Sequence, residues 1–255
     1  MKLNIVIPCA GSGQRFQEAG FNQIKPFILS KNKLMLDWVI DNLSSTEHDI
    51  LYTFLFQQKH IELFDVEMNI INLFKPRLLV NRNNNIDYQI VPIQELTDGS
   101  ATTILRCRNK IDLDLPLIVA NSDQFISGNF DLDRWLGWAS KDNASILTFH
   151  DNDRKWSFVE PIDYVYAKRV AEKEPISNIA NVGIFYYKIG DECMWAINQM
   201  KEKNIRINNE FYLAPSMNEL IEDNAKVSYK LIEPYQKMWG LGTPSDLKYF
   251  EENYK

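Results

Sequence analysis

Leu3-Asn4-Ile5-Val6-Ile7-Pro8-Cys9-Ala10-Gly11-Ser12-Gly13-Gln14-Arg15-Phe16 decides how the rest of the chain is read. The apolar run Leu3–Pro8 has the character of a buried strand, and it empties straight into a loop with two glycines. Glycines after a strand let backbone N–H groups turn toward a bound anion with no side chain in the way. Arg15 follows at once, and Lys25-Pro26-Phe27 lies ten residues beyond it. Two fixed cations beside such a loop point to a polyphosphate site rather than a bare turn.

Gly11-x-Gly13 alone separates few folds. A dinucleotide fingerprint would want a third Gly or Ala where Phe16 stands, and a P-loop would want Gly-Lys-Ser/Thr after the second glycine. Neither is present. What remains is G-x-G-x-R, then K-P.

Outward from that loop, apolar runs and helical patterns alternate. Strands are expected at Asn4–Ile7, Leu51–Phe56, Tyr88–Pro92, Leu117–Ala120, Ser145–Phe149, Val165–Arg169, Val182–Tyr187 and Val227–Ile232. Helices are expected at Met35–Leu43, Ala101–Lys110, Leu132–Ser140, Asp191–Lys203, Glu210–Asp223 and Pro244–Asn253. Asn81–Asn85 reads as a loop. The alternation predicts an α/β fold, a single doubly wound, mostly parallel sheet flanked by helices, with active loops at the carboxyl ends of its strands. With 255 residues, 45% of them hydrophobic, and no linker composition, one domain over 1–255 is expected.

The net charge of −6 argues against a surface that coats nucleic acid, while leaving room for a local basic pocket. Cys9, Cys107 and Cys193 form no CxxC pair and fit free, buried thiols in a reducing compartment rather than a zinc site. No apolar run approaches the ~20 residues that cross a bilayer, and the N-terminus carries no signal-peptide pattern. A cytoplasmic protein without membrane or nucleic-acid partners is expected. His48, His60 and His150 lie outside every motif and read as surface or packing residues.

The strand, the G-x-G-x-R loop and the K-P step resemble the signature of the sugar-1-phosphate nucleotidyltransferase superfamily. The resemblance implies a Rossmann-like nucleotide-diphospho-sugar transferase architecture, with 1–150 as the nucleotide-binding part and 151–255 as the acceptor-binding part of the same sheet. It implies that Ala10, Gly11, Ser12, Gly13 and Arg15 hold the β- and γ-phosphates of a nucleoside triphosphate, with Lys25 at the α-phosphate. Ile93-Gln94-Glu95-Leu96-Thr97-Asp98-Gly99-Ser100-Ala101 is similar to the family's base-reading loop. There Gln94 would offer a donor and an acceptor to a pyrimidine edge, Gly99 would let the base lie flat against the backbone, and Ser100 would line the nucleotide site. An ordinary helix N-terminus after a strand is the other reading of that stretch.

Leu117-Ile118-Val119-Ala120-Asn121-Ser122-Asp123-Gln124 ends a strand where the family keeps a Mg²⁺-binding carboxylate, which makes Asp123 the implied metal ligand. Magnesium takes one or two carboxylates plus phosphates and water, so a lone Asp suffices in principle. Capping the following turn is its plainer reading. On the acceptor side, Ala171-Glu172-Lys173-Glu174-Pro175 resembles the family's Glu-Lys-Pro piece. This implies Glu172 on sugar hydroxyls and Lys173 on the sugar phosphate, an exposed ion pair being the alternative. Asn181-Val182-Gly183 resembles the strand lining the sugar pocket, with Val182 where some members have Thr.

Met238-Trp239-Gly240-Leu241-Gly242-Thr243-Pro244 is similar to W-x-D-x-G-T-P, but Gly240 stands where an aspartate usually gives a second metal contact. Mg²⁺ is then held by Asp123, phosphates and water, or Glu210 or Glu233 substitutes, or the enzyme is impaired. Ser157 also replaces a usual Gly. Thr243 or Ser245 is expected to cap the last helix, with Pro244 in its first turn. Trp156, Trp239, Tyr186 and Tyr187 are either an aromatic wall for a sugar or a cationic head or simply core.

The implied reaction joins a nucleoside triphosphate to a sugar phosphate or similar small phosphorylated acceptor, releases pyrophosphate and needs Mg²⁺. Its implied setting is precursor synthesis for capsule or lipopolysaccharide. A glycosyltransferase of the same fold is the first alternative, although Asp-x-Asp would then be expected where Asn121-x-Asp123 stands. A non-catalytic nucleotide-binding protein is the second, motivated by Gly240. The sequence also admits a homo-oligomer, dimers being the commonest default.

Overall fold

Strand β1 (Lys2–Pro8) buries every residue from Leu3 to Ile7. That is the pattern of a strand covered on both faces, for which a near-continuous apolar run is required. The structure, a computed structural model, describes residues 2–80 and 85–255. After β1 come α1 (Gln14–Glu18), the short pair β2 (Leu29–Ser30) and β3 (Lys33–Leu34), α2 (Met35–Asn42), β4 (Asp49–Gln57), α3 (Gln58–Leu63), α4 (Val66–Val80) and β5 (Ile86–Ile93). The middle of the chain carries α5 (Ser100–Ile104), β6 (Leu117–Ala120), β7 (Gln124–Ser127), α6 (Leu132–Ala139), β8 (Ala144–His150), β9 (Ser157–Pro161) and β10 (Ala167–Glu172). It closes with β11 (Ile179–Tyr187), α7 (Gly190–Glu202), α8 (Met217–Glu222), β12 (Val227–Leu231), β13 (Lys237–Gly240) and α9 (Pro244–Asn253).

Among the described residues, nine strands join in one sheet. Strands β5, β4, β1 and β6 run parallel in that order. β11 pairs antiparallel with β6 and, on its other edge, with β8, to which β12 adds in parallel. The antiparallel pair β9/β10 attaches where Ala180 meets Phe158. Alternate residues of β1 point to two separate cores: Leu3, Ile5 and Ile7 to one shared with α2, α4 and α6, and Val6 to one shared with α5, α7 and α8. The result is a large mixed sheet with a parallel centre and helices on both faces. β1 and β6 are parallel, so the loops after Pro8 and after Ala120 leave on the same side. β11 runs the other way and brings its beginning there too.

The expected boundaries fail in physically telling places. Helices α3 and α4 are absent from the sequence reading because α4 has no clean apolar face: Met68, Ile71, Leu78 and Leu79 are exposed and Pro76 lies inside it. The helix expected over Glu210–Asp223 is only Met217–Glu222, preceded by a 3₁₀ turn at Ala214–Ser216. The helix expected over Ala101–Lys110 ends at Ile104 and continues as a 3₁₀ turn to Cys107. The strand expected at Val165–Arg169 is β10, starting at Ala167 and paired with a β9 that was not foreseen. Of the Asn-rich loop, Asn81–Asn84 lie outside the described residues. The three cysteines are free and buried.

Candidate active site

The loop after β1 begins as an extension of the sheet, Cys9 N–H donating to Leu55 O at 2.8 Å. It then turns through Gly13, whose φ of +66° is a left-handed conformation that glycine adopts without strain. Phe16 and Gln17 N–H groups both donate to Gly13 O, which starts α1 and carries Arg15 on its exposed side. Arg15 makes no ion pair among the described residues. Lys25 starts a 3₁₀ turn that Pro26 stiffens, and its Nζ donates to Asp123 Oδ2 at 2.8 Å.

Asp123 follows the end of β6. Its carboxylate sits over Gly242, where an added Cβ would lie 2.7 Å from Oδ2, so the Gly242 position must stay bare for the pair to form. Two residues earlier, an added Cβ at Gly240 would lie 2.8 Å from Trp156 Cη2. The indole thus fills the room a side chain at 240 would need. Trp156 is itself held: Phe149 meets it edge to face at 5.3 Å, and Lys155, paired with Asp246 at 2.6 Å, lies 4.7 Å from its ring centroid.

The opposite wall comes from β10 and β11. At Gly183 (φ +94°) β11 bulges, and the bulge accepts Asn121 against it: a Cβ there would lie 2.4 Å from Asn121 Nδ2. Gly183 N–H donates to Asn181 Oδ1 at 2.7 Å, while the buried Asn181 Nδ2 has no partner among the described residues. Glu172 ends β10 with its carboxyl pushed up to about 7, first by burial and then by the charge of Glu210, against the lowering pull of Lys173. A carboxyl so placed can donate or accept a hydrogen bond near neutrality. Lys173 Nζ donates to the Tyr212 hydroxyl and lies 4.3 Å from that ring's centroid.

These walls enclose one cleft of about 910 Å³, at the upper end of the ~300–1,000 Å³ common for small-molecule sites. Ala10, Gly11, Ser12, Gly13, Arg15 and Lys25 line one flank. Asp123, Glu172, Lys173, Asn181, Gly183, Gly99 and Ser100 line the cleft as well. Gln94 is the exception. It is exposed and not on the wall, because β5 is the outermost strand beyond β4 and the chain reaches the cleft only at Leu96 and Thr97. Gly99 also has a backbone neighbour: a Cβ there would lie 2.3 Å from Phe211 O, so the position must stay bare for the two segments to approach.

Of the four aromatics, only Trp156 lines the cleft; Tyr186, Tyr187 and Trp239 are core. Glu210 lines it too, whereas Glu233 pairs with Arg134 elsewhere. None of the three histidines is on the wall. Tyr212 escaped the sequence reading, which put it on a helix.

Among the described residues no three His, Cys, Asp or Glu side chains cluster as a metal cage. A lone carboxylate such as Asp123 could hold Mg²⁺ only with phosphate oxygens and water supplying the other ligands.

No family model matches the chain, and no curated protein does. Solved structures do. The nucleoside-diphosphate-sugar pyrophosphorylase from Vibrio cholerae RC9 superposes with a TM-score of 0.78 at 21% identity over 98% of this chain and 100% of that one. UDP-glucose pyrophosphorylase complexed with UDP-glucose gives 0.76 at 16% identity over 100% and 98%. The inositol-1-phosphate CTP transferase from T. maritima gives 0.71 at 10% identity over 95% and 90%. The chain has the nucleotidyltransferase-like fold expected from its motifs.

Proposed function

We propose that the chain is a nucleotidyltransferase that joins a nucleoside triphosphate to a sugar phosphate or similar small phosphorylated acceptor and releases pyrophosphate. The observation that carries this reading is the convergence in one cleft of the glycine loop, Arg15, Lys25 and Asp123 with Glu172 and Lys173 from the other half of the sheet. The full-length likeness to solved nucleotidyltransferases supports it.

A phosphate monoester is already anionic near pH 7, so its oxygen can attack the α-phosphorus in line without a general base. That agrees with a cleft free of histidine. The work left to the protein is to bring two anions together and offset their repulsion. Lys25 and Lys173 both line this cleft and would offset that repulsion. Arg15 and the loop amides would stabilise the leaving pyrophosphate. Asp123 would hold Mg²⁺, which when bound supplies charge neutralisation to the phosphates. Glu172, half-buried with its carboxyl pushed up to about 7, suits an acceptor hydroxyl better than a cationic head, and Lys155 lies over the Trp156 ring. The base is open, since Gln94 lies off the wall. A cytoplasmic enzyme supplying surface-glycan precursors is the setting we propose.

Four nucleoside triphosphates assayed against a set of sugar 1-phosphates and phosphocholine, with Mg²⁺ and read by pyrophosphate release, test the reading. At least one pair should turn over. Non-catalytic nucleotide binding, the reading that Trp156 over Gly240 favours, predicts a melting-temperature rise with triphosphate and no pyrophosphate from any pair.

A further inference from the structure

We infer that Tyr212 is a positioning residue that aims the Lys173 ammonium at the acceptor's phosphate, and that the segment carrying it ties this lysine to the nucleotide end of the cleft. The inference rests on the acceptor role proposed above for Lys173.

Lys173 sits in left-handed backbone (φ +59°), and its N–H donates to Trp156 O at 2.9 Å. Its ammonium makes no ion pair among the described residues. What holds it is the Tyr212 hydroxyl together with the Tyr212 ring. A cation held through both a hydroxyl and an aromatic face has its long stem confined to few rotamers. The direct partner is neutral, and among the described residues no carboxylate lies within ion-pair distance of the ammonium, although the charges of Glu172 and Glu210 act on Lys173 and Tyr212 from nearby. The ammonium is left able to take an anion. Lys25, Lys155 and Lys203 are by contrast all paired with carboxylates.

Tyr212 lies in an irregular segment between the Ile207/Glu210 bridge and the 3₁₀ turn at Ala214. Its neighbour Phe211 is stitched to the start of α5 by two backbone bonds: Phe211 N–H to Asp98 O at 2.8 Å and Ala101 N–H to Phe211 O at 3.0 Å. The bare Gly99 permits that approach. Arg206 reinforces it, pairing with Asp98 at 2.9 Å and lying 3.9 Å from the Phe211 ring centroid. One strap therefore runs from the segment after β5 to the acceptor lysine, and among the described residues its one side-chain bond to Lys173 is the Tyr212 hydroxyl.

Y212F, K173M and the double variant test this, using the triphosphate and acceptor that give most pyrophosphate with the unaltered protein. Y212F should raise the acceptor KM about tenfold, the effect of losing one charge-assisted hydrogen bond. The triphosphate KM and the melting-temperature rise with triphosphate alone should stay as in the parent. In the K173M background, Y212F should add nothing. A parental acceptor KM in Y212F, an equal loss of triphosphate binding, or full additivity with K173M would overturn the inference alone. If the unaltered protein releases no pyrophosphate from any pair, the transferase reading falls and the inference with it.

Discussion

Lys25 Nζ lies 2.8 Å from Asp123 Oδ2, an ion pair between residues 98 positions apart that joins the first loop of the chain to the loop after β6. Both side chains keep 25% of their exposure, so the pair faces the cleft and is open to exchange. An anion entering the glycine loop competes for the ammonium, and a divalent cation competes for the carboxylate. On the function proposed above, the pair would be exchanged for contacts to triphosphate and metal.

Lys25→Ala and Asp123→Ala should each lower turnover by roughly 10²–10³, the usual effect of removing one preorganised charge contact at a transferring phosphoryl group. Melting curves should show both variants folded. Pyrophosphate release at saturating substrates checks the rate. Parental activity in either variant would remove that residue from the mechanism.

Gly99→Ala should destabilise the fold by about 2 kcal/mol or more, since φ +137° with ψ 171° is a region that only glycine occupies cheaply. The new methyl would also meet Phe211 O at 2.3 Å. Urea unfolding measures the loss. Parental stability in the variant would mean that the backbone conformation and the Phe211 contact do not constrain this position.

The parts of the fold visible in the sequence are those where local chemistry and tertiary context agree. The run Leu3–Ile7 is apolar at every position because both faces are covered, and Thr243 caps α9 by accepting from Asp246 N–H at 3.1 Å, with Pro244 behind it. The glycine-loop part of the cleft was legible because its residues sit close together after one strand. Gln94 lies off the cleft wall, which spacing along the chain cannot show, because it says nothing about how far an edge strand lies from the cleft. Tyr212 was invisible because its partner, Lys173, lies 39 positions away and meets it through an irregular segment that resembles a helix by composition. The role of Gly99 depends on Phe211 and could not be read from its own neighbours.

Glu172 should make stability fall as pH rises. Its folded value of about 7 stands above the ordinary carboxyl value of 4.5, so between those points the folded state binds the proton more readily than the unfolded chain. The contribution is complete below about pH 4.5 and lost as pH passes through 7. At 1.36 kcal/mol per pH unit its ceiling is about 3 kcal/mol. Glu172→Gln, which keeps the neutral shape, should flatten the slope between pH 5 and 7 in urea midpoints; an unchanged slope would mean the carboxyl is not held neutral.

Gly240→Asp should fail as a simple restoration of the second carboxylate that the resembling family carries. The Cβ of any residue at 240 falls 2.8 Å from Trp156 Cη2, and moving that ring aside would give up its edge-to-face contact with Phe149 and the Lys155 ammonium, paired with Asp246, that lies over it. Overpacking of this kind typically costs about 1–3 kcal/mol, so G240D should lower the melting temperature by several degrees. Trimming the ring removes the obstacle. W156A/G240D should regain much of that loss, and it should bind Mn²⁺ more tightly than the parent in the presence of triphosphate, measured by electron paramagnetic resonance of the free ion. The double variant separates two explanations of Gly240. If the indole is what excludes a side chain there, stability returns when the indole goes. If G240D is as stable as the parent while Trp156 is intact, the close approach at Cη2 is not a constraint, and the absence of the carboxylate has another cause.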